Sequence, residues 1–117
     1  MTISITRREE LMRAISSNDV VIIGYNDRNI KGAEDFDKIL RELSKKVDPT
    51  ILVLKVDVSQ APDLGEDVPE LPYVRVYLKG KIVFEQYGWF GRPDLDLYVL
   101  RRSIRTVLRS LNVTLKI

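Results

Sequence analysis

The chain has 117 residues and a formal net charge of +2, and its composition includes no cysteine and no histidine. These two absences exclude disulfides and thiolate chemistry, and they remove imidazole as a general base or a metal ligand. A chain of this length is expected to form one domain over residues 1–117. No metal site and no cofactor is predicted, and an enzyme is disfavoured because the usual base at neutral pH is missing.

The sequence also carries information about where the protein is found. No apolar run approaches the roughly 20 residues that a membrane-spanning helix requires. The N-terminal stretch MTISITRREE lacks the apolar core of a signal peptide, so a cytoplasmic protein is expected. The many charged side chains, combined with the lack of cysteine, favour a thermophile as the source.

The first elements in chain order are predicted to be a strand, a helix and a second strand. Residues 2–5 indicate a short edge strand. Thr6 and Glu9 have the spacing of a capping box, which predicts a helix over residues 7–17. The run DVVIIGY, residues 19–25, is continuously apolar and β-branched, as is typical of a strand buried on both faces.

A second helix and a further buried strand follow. The core face of this helix recurs at helical spacing and consists of Phe36, Ile39, Leu40, Leu43 and Val47. The helix is expected to end at Asp48-Pro49, because the residue before a proline disfavours helical backbone. The run TILVLKVDV, residues 50–58, predicts the strand. The order strand, helix, strand implies parallel pairing through a right-handed crossover.

The second half predicts a hairpin and a long final helix. Residues 59–71 hold at most a turn or two of helix. Two strands, residues 73–78 and 81–87, flank a tight turn at Lys79-Gly80. Pro93 suits the first position of the last helix. The buried stripe of that helix is predicted to be Leu97, Leu100, Ile104, Val107, Leu108 and Leu111. The tail VTLKI alternates apolar and polar residues, which predicts an extra C-terminal strand.

The hairpin and its flanks resemble the thioredoxin-like superfamily over nearly the whole chain. The resemblance rests on Leu71-Pro72 before the hairpin, on the Lys79-Gly80 turn, on Gly88 after it, and on Val56-Asp57 and the Pro62-Asp63-Leu64 stretch. It implies an α/β thioredoxin-like fold with a mixed sheet of four or five strands flanked by helices. It also implies a cis peptide bond before Pro72.

The sequence departs from thioredoxins at the residues that perform their chemistry. The redox motif Cys-Gly-Pro-Cys falls on Asn29-Ile30-Lys31-Gly32, and the strand position where many thioredoxins bury an Asp is Ile23. Thiol–disulfide exchange requires a thiolate, and this chain has none. The resemblance therefore predicts the scaffold without the redox reaction.

What the resemblance implies for function is a partner-binding surface. In the family, several loops converge at one end of the sheet, and the backbone before the cis-proline pairs with an extended partner segment. The matching positions here are Asn29, Ile30, Val68, Leu71, Pro72, Trp89 and Phe90. Trp89 and Phe90 are candidate apolar anchors. Two alternatives remain, in which one aromatic ring joins the core or both rings close the groove.

The favoured function is thus a non-catalytic protein–protein interaction module that binds another protein or a second copy of itself. A homodimer through the tail is one form of this, because edge strands invite pairing. The alternative is anion or nucleic-acid binding, by Arg28 and Lys31 at a helix N-terminus and by a row on the last helix. That row consists of Arg101, Arg102, Arg105 and Arg109. The commoner interpretations are a solvated loop in which Asn29 or Asn26 caps the helix, and a solvated helix face.

Overall fold

The structure, a computed structural model, describes residues 2–117. The strands are β1 Thr2–Ser4, β2 Val20–Asn26, β3 Leu52–Asp57, β4 Tyr73–Leu78 and β5 Lys81–Tyr87. The helices are α1 Arg8–Ser17, α2 Ala33–Lys46 and α3 Pro93–Ser110, and a short 3-10 helix, Pro62–Gly65, lies between β3 and β4. None of the helices within residues 2–117 is long and apolar enough to cross a lipid bilayer.

The five strands form one mixed sheet in the order β1-β3-β2-β4-β5. Strand β3 pairs in parallel with β1 and β2, whereas β4 pairs antiparallel with β2 and β5. Every residue of the central strand β2 is buried, as its continuous apolar run predicts. The predicted mixed α/β sheet of a thioredoxin-like fold is confirmed.

Alternate residues of β2 face two core layers on opposite sides of the sheet. Ile22 packs in a layer with the apolar faces of α2 and α3. Ile23 packs in a second layer with α1 and the segment after β3. This alternation follows from the two-residue period of a strand. The predicted core face of α2 is buried as expected, but Leu111 is 44% exposed and lies outside the stripe of α3.

The hairpin has the predicted bounds and one irregularity. Lys79 and Gly80 form the turn with positive φ angles of 50° and 82°. Val76 pairs with Phe84, but the next residue, Tyr77, pairs with Ile82. The intervening residue of β5 therefore has no partner opposite it, which is a β-bulge on the edge strand.

The prediction of an extra C-terminal strand is wrong. Residues 113–117 form no strand and do not join the sheet. The Lys116 carbonyl accepts the Asp48 N–H at 2.7 Å, and Ile117 is buried in the core layer of α2 and α3. Arg101 Nη2 donates to the Ile117 main-chain oxygen at 3.0 Å. An apolar–polar alternation fits an extended segment with one face on a core as well as it fits a strand.

Two predicted helix caps also differ. Arg7 occupies the cap position of α1, and no side chain caps that helix, so the Thr6–Glu9 capping box does not form. Helix α2 is preceded by Gly32 in the left-handed conformation rather than by an asparagine cap. Asn26 is buried at the end of β2, where its side-chain amide donates to the Ala33 carbonyl at 3.4 Å.

Candidate functional site

The corner before β4 contains backbone hydrogen-bonding groups that have no partner among residues 2–117. The peptide bond between Leu71 and Pro72 is cis. Pro72 is buried, and its carbonyl accepts the Gly88 N–H at 2.8 Å. Leu71 is half-buried, and neither its N–H nor its C=O has a hydrogen-bond partner among residues 2–117. The corner therefore has a free donor and a free acceptor on one residue.

The aromatic loop after β5 packs against the start of α2 through Trp89. The Trp89 ring contacts Phe36 edge-to-face, with 5.8 Å between the ring centroids. A Cβ atom at Gly32 would lie 3.2 Å from the Trp89 ring. Trp89 is thus half-buried against the core, whereas Phe90 is 66% exposed. One aromatic supports the loop and the other faces solvent.

Asp96 holds this aromatic loop in place. Its carboxylate accepts three main-chain N–H groups, from Phe90 at 2.7 Å, Gly91 at 3.1 Å and Arg92 at 3.0 Å. Asp96 lies in the first turn of α3 and is buried. A carboxylate there is favoured by the partial positive charge of the helix N-terminus. Asp96 therefore fixes the loop in the shape that exposes Phe90.

The remaining predicted partner-binding residues are brought together only in part. Ile30 is 40% exposed on the loop before α2. Asn29 is exposed, and its N–H donates to the Asp27 carboxylate at 2.8 Å. Val68 is half-buried, and it packs against the α1-side layer rather than facing solvent. The Trp89 ring lies over the position where a side chain of Gly32 would start, and the Gly88 N–H donates to the Pro72 carbonyl, so these three loops lie side by side.

Tyr87 is a residue of this region that the sequence analysis did not identify. It is 45% exposed, and its ring stacks on Tyr73 with 5.0 Å between centroids. Together with Pro69 and Glu70 it lines an open cavity of about 350 Å³. The sequence could have indicated this residue, because Tyr87 is an aromatic residue at the end of β5 and therefore lies beside the loop that follows this strand.

The anion site predicted before α2 contains acidic as well as basic side chains. The Arg28 N–H and side chain both contact Asp57, at 3.4 Å and 3.8 Å. Burial opposes the ionisation of Asp57, but hydrogen bonds from Ser59 and Arg28 outweigh it and lower the pKa of that carboxyl. Lys31 is exposed. The first turn of α2 carries two acids, Glu34 and Asp35, which repel an approaching anion.

The arginine row on α3 is divided between two environments. Arg101 and Arg105 are half-buried, and both donate to the Ile117 main-chain oxygen, at 3.0 Å and 3.4 Å. Arg102 and Arg109 are exposed. Half of the row therefore holds the C-terminal tail, which leaves two exposed cations on this face of the helix.

No protein-family model matches the chain, and a comparison with curated proteins finds no match. Several solved structures have a similar fold. A mutant thioredoxin from Halobacterium salinarum superimposes with a TM-score of 0.76 at 20% identity, over 91% of this chain and 89% of that one. A Plasmodium falciparum thioredoxin superimposes with a TM-score of 0.75 at 22% sequence identity, over 89% of this chain and 97% of that one. A designed protein superimposes with a TM-score of 0.72 at 26% identity, over 94% of this chain and 96% of that one. The chain therefore has the thioredoxin fold, in a form that lacks the redox cysteines.

Proposed function

We propose that this protein is a non-catalytic interaction module that binds an extended segment of another protein beside Leu71-Pro72. The observation that carries the proposal is the main chain of Leu71, whose N–H and C=O have no partner among residues 2–117. Backbone pairing with an incoming segment would satisfy both groups, as in β-strand addition. The chain has no thiol, so the binding would not be coupled to thiol–disulfide exchange.

Apolar side chains around the corner would supply selectivity. Phe90 and Ile30 are exposed and would contact the partner, while Trp89 would form the floor against Phe36. An exposed aromatic that becomes buried at an interface centre contributes about 2 kcal/mol or more. The shallow depression formed by Tyr87, Pro69 and Glu70 would contact a side chain of the partner.

The first test is a peptide selection on the full chain. Extended 12-residue peptides from a random displayed library would be selected for binding, and affinities measured by calorimetry and by the fluorescence of Trp89, the only tryptophan. We expect Phe90→Ala to weaken binding by about thirtyfold, corresponding to about 2 kcal/mol. The matched control is Ile82→Ala, which removes another exposed apolar side chain at the opposite end of β5 and should leave the affinity unchanged.

Backbone pairing has its own readout in the same experiment. On peptide binding, the Leu71 amide should shift in NMR spectra and become protected from hydrogen exchange. An unchanged Leu71 amide in a tight complex would rule out strand addition at this corner. A second copy of the chain would instead protect Trp89 as the protein concentration rises. Binding of single-stranded nucleic acid that weakens steeply with salt would favour the arginine face.

A further inference from the structure

A single arginine is buried on the sheet face that α1 covers. Arg75, in β4, is 6% exposed, and no other lysine or arginine within residues 2–117 is buried. Its Nε donates to the Tyr73 hydroxyl at 2.8 Å, and its Nη1 donates to the Asp67 carboxylate at 3.0 Å and the Tyr77 hydroxyl at 3.4 Å. The guanidinium also lies 5.7 Å from the centre of the Tyr25 ring.

The hydrogen bonds of Arg75 leave part of the guanidinium unused. Nη2 has no acceptor among residues 2–117, and it is not fully buried. Part of its surface is therefore accessible to solvent or to a ligand. The one carboxylate bonded to Arg75, that of Asp67, is 68% exposed. A buried charge is costly unless it is well paired, and this one has unused donors.

Arg75 also lines a cavity of about 270 Å³ that lies between α1, the 3-10 helix and the sheet. Its apolar lining is formed by Leu11, Met12, Ile15, Leu64, Tyr25 and Tyr77. Its charged lining is formed by Arg8, Asp63, Glu66, Asp67 and Arg75. A concave apolar site with a few polar groups is the usual form of a small-molecule site.

The charges of the lining narrow the ligand class. Arg8 is held by Asp63, since its Nη2 donates to the Asp63 carbonyl at 2.7 Å and lies 3.9 Å from the Asp63 carboxylate. The remaining groups are one buried guanidinium, that of Arg75, and two exposed carboxylates, Glu66 and Asp67. A simple anion would be repelled by the two carboxylates, and a simple amine would not satisfy Nη2. A molecule with both charges would match both sets.

We propose that this cavity binds an α-amino acid with an apolar side chain, as the zwitterion. The ligand carboxylate would accept from Arg75 Nη2, and its ammonium group would lie between Asp67 and Glu66. The apolar side chain would pack against the apolar lining. This site is independent of the Leu71-Pro72 corner, because the cavity shares no lining residue with the surface proposed there.

The test is an NMR titration of the full chain with L-leucine and L-phenylalanine. Two analogues separate the charges, namely 4-methylpentanoate, which lacks the ammonium group, and 3-methylbutylamine, which lacks the carboxylate. We expect both amino acids to shift the amides of Leu11, Leu64 and Arg75 saturably. Each analogue should bind at least about tenfold more weakly, since each loses one charge-assisted hydrogen bond.

Two variants divide the roles of the charged groups. Arg75→Met replaces the buried cation by an apolar chain of similar length, and should abolish leucine binding. Asp67→Asn should weaken leucine by about tenfold while strengthening 4-methylpentanoate, because it removes a partner of the ammonium and a repulsion on the carboxylate. The matched control Asp94→Asn makes the same charge change at an exposed position in α3 and should alter neither affinity.

The proposal fails if neither amino acid shifts these amides at about 20 mM, which is about twentyfold above a millimolar dissociation constant. It also fails if Arg75→Met, still folded, binds leucine as the parent chain does. If Arg75→Met does not fold, the opposite responses of Asp67→Asn to leucine and 4-methylpentanoate decide. Equal affinities for leucine and 4-methylpentanoate in the parent chain would overturn the assignment of a zwitterion.

Discussion

Gly32 shows how a single residue couples two loops of the candidate site. Its φ angle is +88°, and the Trp89 ring covers the position where a side chain would start. We expect Gly32→Ala to lower the free energy of unfolding by about 2 kcal/mol, from left-handed backbone strain and from displacement of the ring. Urea unfolding followed by circular dichroism would measure this change.

The control for this substitution is Gly80→Ala. Gly80 has a similar φ angle of +82°, but no heavy atom lies within 4 Å of the added carbon. Only the backbone part of the cost should appear there, and the Trp89 emission should stay unchanged. Equal losses of stability in the two variants, with equal Trp89 spectra, would show that the ring does not cover Gly32.

Asp96 is the second residue on which the loop depends. Asp96→Ala removes the acceptor for three main-chain N–H groups in a buried position. We expect a loss of about 2–3 kcal/mol and a rise in the quenching of Trp89 by acrylamide, because the loop is no longer held. Asp94→Ala, in the same helical turn but exposed, should cost less than about 1 kcal/mol, from the loss of its interaction with the helix N-terminus, and should leave the quenching of Trp89 unchanged.

For single residues, the sequence predicted the place of a residue in its helix or strand better than it predicted which groups surround its side chain. Asp96 is recognisable as an acid near a helix N-terminus, but its three backbone partners depend on how the preceding loop folds. Arg75 lies in the pattern YVRVYL, which is typical of a strand with one solvated face. The segment after β3 and α1 cover that face, and the strand's own sequence does not carry this information.

Among the helices and strands, the bounds were predicted best where nearby turn residues define where the element ends. The hairpin of β4 and β5 has its predicted bounds because the turn residues Lys79 and Gly80 adopt positive φ. The capping box before α1 failed although its motif is present, since Thr6 and Glu9 do not bond in the required way. The prediction of a C-terminal strand failed because the tail packs against α2 and bonds to Asp48, both of which are distant in sequence.

The tail should contribute measurably to stability in its observed position. Ile117 is 3% exposed and packs with α2 and α3. We expect Ile117→Ala to cost about 2–4 kcal/mol in the free energy of unfolding, because it leaves a cavity in that layer. Leu111→Ala, at an exposed position after α3, is the control and should cost less than about 0.5 kcal/mol. Chemical denaturation at several protein concentrations would measure both.

A tail that pairs with a second subunit gives a different result. In that case the midpoint for the parent chain would rise with protein concentration, and Ile117→Ala would abolish this rise. A midpoint independent of concentration, with a large loss in Ile117→Ala, is the outcome that the intramolecular contacts of Lys116 and Ile117 predict.

For the molecule as a whole, we expect the free energy of unfolding to depend on pH mainly in the alkaline range, above about pH 10. No side chain of this composition has an ordinary pKa between about 5 and 8. Burial raises the pKa of Tyr73 to about 12, with a smaller opposing effect from Arg75. Burial also raises the pKa of Tyr25. The folded state therefore retains these phenolic protons above pH 10, where the unfolded chain releases them.

The stability contributed by these protons is complete below pH 10 and is lost as pH rises towards 12. We expect the free energy of unfolding to be nearly constant from pH 6 to 8 and to fall above pH 10. Tyr25→Phe should make the fall shallower by up to about 1.4 kcal/mol per pH unit. Urea titrations across this range would measure the slope, and an unchanged slope in Tyr25→Phe would contradict the account.

The fold of the whole molecule was predictable because redundant signals support it. The buried runs of β2 and β3, the helical stripe of α2 and the hairpin all indicate the same arrangement. The candidate site was less predictable, because it depends on single contacts between loops. The covering of Gly32 by Trp89 and the stacking of Tyr87 on Tyr73 are examples.

The bulge in β5 has a consequence for assembly. Strand β5 is an edge of the sheet, and its backbone on that side could template another strand. The extra residue between Ile82 and Phe84 interrupts the regular spacing of these groups and increases the local twist. Two copies meeting at β5 could not continue the ladder in register along its length. The bulge therefore disfavours edge-to-edge pairing of two copies of the chain along β5.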